Sequence, residues 1–121
     1  MTRLALLVAA AALTLALAGS ALAAPGGAAP TRLDGAVGPG FTITLKKAGK
    51  KVTRLAPGRY SLVVNDKANI HNFHLRGPGV NKASGVGATG TKTWTVNLRA
   101  GSYTFVCDPH ASNMKGSFTV A

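Results

Sequence analysis

The stretch Cys107 to Gly116, CDPHASNMKG, holds the only cysteine of the 121-residue chain, one of its three histidines and one of its two methionines. A thiolate, an imidazole and a thioether within a few positions form a donor set for a soft or borderline transition metal. Taken singly, each has a plainer reading. A lone buried cysteine is usually inert, a methionine ahead of a strand usually packs, and a histidine after proline usually faces water. Their clustering outweighs those readings.

A fourth donor is available in NIHNFHL, Asn69 to Leu75. If this segment is a strand, alternation puts His71, Phe73 and Leu75 on one face and Asn72 and His74 on the other. Phe73 and Leu75 need the core, so His71 is expected to point inward and His74 to be at least partly solvated. An inward imidazole costs desolvation unless its nitrogens are occupied, and a metal would occupy one of them. His71, Cys107 and His110 with Met114 as a weak axial ligand form the set that suits both Cu(I) and Cu(II). Zinc is the competitor, but it prefers a closed tetrahedral site or a bound water and gains little from a thioether.

The elements that must position these donors are strands. Apolar residues recur with period two at Phe41, Ile43, Leu45; Tyr60, Leu62, Val64; Trp94, Val96, Leu98; Tyr103, Phe105, Cys107; and Phe118, Val120. Such alternation gives strands with one buried face. GPG, KAGK, APG and RAGS stand between the runs as turns, and no stretch after the leader carries a helical stripe. About seven to eight short strands over about 90 residues predict an all-β fold, an antiparallel Greek-key β-sandwich. Gly77 to Gly90, glycine-rich and poor in core residues, reads as a long surface connection. Cys107 closes the inward face of its strand, and Asp108-Pro109 turns the chain so that His110 can return over the thiol.

Residues 1–23 carry Arg3, an apolar run and Ala21-Leu22-Ala23, the pattern of a secretory signal peptide rather than of a spanning helix of about 20 apolar residues. Residues 24–30 read as a flexible leader and 31–121 as one domain. The chain is thus expected to be exported, to a periplasm or outside the cell, with no membrane segment after cleavage. Its formal charge of +11 falls to +10 once Arg3 is removed. The thirteen remaining bases are dispersed, with no arginine stripe or aromatic series for nucleic acid, so the charge is read as favouring solubility and acidic partners. One cysteine excludes an internal disulfide and leaves the thiol as a spectator, an intermolecular link or a ligand.

The paired motifs HNFHL and CDPHASNMKGSFTV resemble those of the cupredoxins, the small blue copper proteins related to plastocyanin and azurin. The resemblance runs from about Phe41 to the end of the chain. The Cys-x2-His spacing is plastocyanin-like, whereas His-x3-Met-Lys-Gly is azurin-like, so the loop is a short hybrid. The resemblance implies one type 1 copper per chain, single-electron transfer between larger redox proteins, and a monomer. It also implies that Asn72 ties the two ligand segments together and that His110 is the exposed ligand. Pro39 and Pro78 are candidates for an apolar docking rim, with plain turns as the alternative. Three histidines are too few for a multicopper enzyme. A copper carrier or buffer would use the same ligands without a redox partner.

Overall fold

The structure, a computed structural model, describes Gly19 and residues 29–121. The signal peptide and most of the leader read from the sequence lie outside the described residues. Ten strands follow in chain order: β1 Thr31–Val37, β2 Ile43–Lys47, β3 Lys50–Lys51, β4 Arg54–Leu55, β5 Gly58–Asp66, β6 His74–Gly77, β7 Val80–Ala83, β8 Gly90–Leu98, β9 Gly101–Val106 and β10 Lys115–Val120. They form two five-stranded sheets, ordered β3-β2-β1-β5-β8 and β4-β10-β9-β6-β7. The fold is a β-sandwich, and among the described residues no helix is long and apolar enough to cross a membrane.

The alternating side chains meet between the sheets. Tyr60, Leu62 and Val64 of β5 face Tyr103 and Phe105 of β9 and Phe118 and Val120 of β10, all buried. Aromatic rings fill the middle: Phe73 stacks on Phe105 at 5.7 Å between centroids, and Tyr103 on Phe118 at 5.2 Å. A β-carbon on Gly77 would come within 2.1 Å of the Tyr103 ring, so this strand position is closed to any larger residue.

Four details depart from the sequence expectation. The sheets are mixed rather than purely antiparallel, because β1 runs parallel to β5 and β4 parallel to β10. Between β1 and β5 the chain visits the other sheet through β4, so it returns beside β1 in the same direction; alternation of side chains is identical for either pairing. The strand count is ten because β3 and β4 are only two residues each, too short to show a period. The Gly77–Gly90 connection contains β7, which pairs with β6 as a hairpin turning at Gly77-Pro78-Gly79. Finally, β1 buries Leu33 and Val37 on either side of Gly35, whose missing side chain hides its alternation and leaves room for the Phe73 ring.

Candidate metal centre

Inward alternation along β9 passes from Tyr103 and Phe105 to Cys107, which lies just past the strand end and is fully buried. Asp108 starts a single 3-10 turn, Asp108–His110, with Pro109 in its first turn, and the chain reverses there. Backbone bonds fasten the loop at both ends. Cys107 N–H donates to Met114 O at 3.0 Å, and Met114 N–H donates to His110 O at 2.8 Å. Met114 is fully buried at the loop's close, and His110 is half-buried.

His71 arrives from the segment before β6 with no exposed surface. Its Nδ1 lies 3.7 Å from Cys107 Sγ and 3.1 Å from His110 Nδ1, while the latter is 3.5 Å from the same sulfur. The three atoms form a nearly equilateral triangle of lone-pair donors. A point equidistant from all of them is about 2.0 Å from each, close to the metal–nitrogen and metal–sulfur distances of about 2.0–2.3 Å. His71 Nε2 is buried without a partner, so this imidazole makes its polar contacts only at the triangle. The arrangement fits a single metal ion held by two nitrogens and one sulfur.

Two neighbours press on the imidazoles. A β-carbon on Gly38, where φ is +75°, would stand 3.0 Å from His71 Cδ2, so the turn passes close against the ring. Phe41 meets both histidines edge-on, at 5.5 Å from His71 and 4.9 Å from His110 between centroids. Its own ring is 58% exposed, which corrects its assignment to the core run with Ile43 and Leu45. Strand β2 begins only at Ile43; Phe41 belongs to the turn that caps the site.

Asn72 links three segments. Its side-chain oxygen accepts the Asp108 N–H at 2.7 Å, and its amide donates to Asp108 Oδ2 at 2.8 Å and Ser84 O at 3.2 Å. Ser84 in turn takes the Phe73 N–H on its hydroxyl at 2.8 Å. The segment carrying His71 is therefore bound to the residue that follows Cys107.

His74 departs from its expected solvation, being only 7% exposed. The reason is that Asp108, Arg76 and Asn81 cover the outer face. His74 Nδ1 lies 2.9 Å from the Asp108 carboxylate. Burial alone would raise the Asp108 pKa; hydrogen bonds from Asn72 and His74, aided by the charges of His74 and Arg76, outweigh it and hold the carboxyl below its ordinary range. Phe41, Ser84 and Asp108 are site residues that sequence reasoning missed. An aromatic residue placed directly after Gly-Pro-Gly, where a turn rather than a strand is expected, was the available signal for Phe41.

A family model for "Copper binding proteins, plastocyanin/azurin family" matches residues 42–121. The chain is a cupredoxin. The metal its donor triangle takes is accordingly copper, one type 1 ion. Among solved structures the fold is similar to reduced rusticyanin at 1.9 Å, with 21% identity, a TM-score of 0.57, and coverage of 74% of this chain and 78% of that one. Rusticyanin from Thiobacillus ferrooxidans at 1.27 Å gives 24% identity and a TM-score of 0.53 over 74% and 76%. No curated protein sequence matches the chain significantly.

Proposed function

We propose that this cupredoxin is exported and carries single electrons between redox partners, and that His71, Cys107, His110 and Met114 are the residues that would hold its copper. Copper bound there supplies a one-electron couple. The observation that carries the reading is the way the ligand segments are fastened. Asn72 bonds to Asp108 in both directions, and the Cys107, His110 and Met114 backbones bond to one another. Donors held this firmly change position little between oxidation states, which keeps the reorganisation barrier to electron transfer low. Met114, fully buried at the close of the ligand loop, is proposed as the fourth ligand, and a site so filled would favour carriage over catalysis.

The route in and out is the His110 edge, the least buried of the three donors. Phe41, 58% exposed and edge-on to both histidines, gives the proposed docking face an apolar character, and Ile70, 48% exposed, precedes His71 in the chain. Pro39 adjoins that turn, but Pro78 does not: it packs over Gly101 at the opposite end of β9 from Cys107. The basic surface favours an acidic partner.

The experiment has two parts. Cu(II) added to the protein should produce an intense visible thiolate-to-copper band, and electron self-exchange should be fast while copper exchange with a chelator is slow. Slow self-exchange with rapid metal exchange would identify a copper carrier or buffer instead.

A further inference from the structure

Four residues outside the donor set form a continuous polar cluster on the outer face of β6. His74 Nδ1 meets Asp108 at 2.9 Å, its Nε2 lies 2.6 Å from Asn81 Oδ1, and Arg76 Nε lies 3.0 Å from that same Nε2. Arg76 also reaches to 3.9 Å from Asp108 Oδ1. Asn81 belongs to β7, so one imidazole joins the β6–β7 hairpin to the residue bonded directly to Cys107.

We infer that His74 is a positioning residue of the copper centre: acting through Asp108, it fixes the Cys107 loop and offsets a carboxylate charge that would otherwise bear on the metal. The inference rests on the copper reading of the site. Asp108 is the only acidic residue next to a ligand in the sequence, and its negative charge favours Cu(II) over Cu(I) by simple Coulomb attraction. The His74 N–H meets that carboxylate at 2.9 Å, and the Arg76 guanidinium, seated against the His74 ring, lies 3.9 Å from it; both reduce its effect. Asn72 holds the same carboxylate from the other side at 2.8 Å, so the group is gripped by donors from two segments. The His74 side chain meets the Cys107 loop at Asp108, whereas its backbone pairs with Val106, so a side-chain substitution tests the Asp108 contact and leaves the strand pairing in place.

This gives opposed expectations for two substitutions. His74→Ala leaves the Asp108 charge less compensated and should lower the reduction potential, seen as a fall of roughly tenfold in the ratio of Cu(I) to Cu(II) affinity, the scale typical of outer hydrogen-bond partners. Asp108→Asn removes the charge, keeps an oxygen for His74, and should raise the potential. In the Asp108→Asn background, His74→Ala should have little further effect. His74→Gln, which fills the site and restores an amide N–H toward Asp108, should recover most of the native potential.

Metal-free protein supplies an independent readout. In a thermal double-mutant cycle, His74→Ala and Asp108→Ala should show a coupling well beyond additivity, as bonded partners do. Potentials moving in the same direction in both single variants, or an undiminished His74 effect in the double, would mean general disturbance of the loop and overturn the inference, as would additive melting temperatures. A parent protein that never turns blue overturns the copper reading and this inference with it. A blue parent with potentials unmoved by either substitution overturns the inference alone.

Discussion

Each donor has a separable signature at the scale of single residues. Cys107→Ser should abolish the visible band and most of the copper affinity, because only a thiolate would supply that transition and the strongest bond to copper; a visible spectrum after Cu(II) addition checks it. Met114→Leu should retain colour while raising the reduction potential, since losing a weak thioether donor would disfavour Cu(II), and voltammetry reads the shift. His71→Gly should lose the blue site and regain it with added imidazole. Phe41→Ala should leave melting almost unchanged, because the ring is mostly exposed, yet speed copper loss to a chelator by uncovering both imidazoles. Much of this was readable in the sequence from residue type alone: one thiol, one imidazole and one thioether in a short loop, with a second histidine two residues before a core phenylalanine. Phe41 was harder to read, because its period with Ile43 and Leu45 points to the core and only its place directly after Gly-Pro-Gly points to a turn. His74 differs from its expectation for a related reason: an outward-facing residue is solvated only if nothing covers that face, and besides Arg76 the covering groups come from 7 and 34 residues away.

Among the elements, the strands bearing a strict period were legible, and those lacking one were not. β5 and β9 alternate cleanly, whereas β1 loses its middle inward side chain to Gly35 and β3 and β4 end before a period can show. Parallel pairing of β1 with β5 depends on where the intervening chain goes, which no local pattern encodes. The element that couples core to metal is the segment from His71 to β6. Phe73, fully buried and stacked on Phe105, anchors it between the sheets. Phe73→Ala should cost about 3–5 kcal/mol in urea unfolding of the metal-free protein. It should also broaden the blue site, because the ring lies two residues from one donor and against the strand that leads to another.

For the whole molecule, the excess of base over acid governs encounter rather than chemistry. On the proposed reading, the thirteen lysines and arginines left after removal of residues 1–23, against three aspartates, would attract an acidic redox protein over distances that salt screens at about 10 Å in 0.1 M ionic strength. Bimolecular electron-transfer rates with such a partner should fall steeply as ionic strength rises. Rates indifferent to salt would assign docking to the apolar residues around His110 and leave the lysines with solubility alone.

The ligand loop has a consequence for how copper and folding are linked. Cys107, His110 and Met114 are neighbours in the chain, but His71 is separated from Cys107 by a sequence distance of 36 residues and reaches it only when the sandwich closes. An unfolded chain therefore still offers a three-donor chelate. Binding to the unfolded ensemble subtracts from the stabilisation that a ligand confers on the native state. The rise in urea midpoint produced by copper should accordingly fall short of what the native affinity alone dictates, and Met114→Leu, by weakening the unfolded chelate, should narrow that gap. The same loop gives a nascent or refolding chain a place to hold the metal before the second imidazole arrives, so that metal capture can precede completion of the fold.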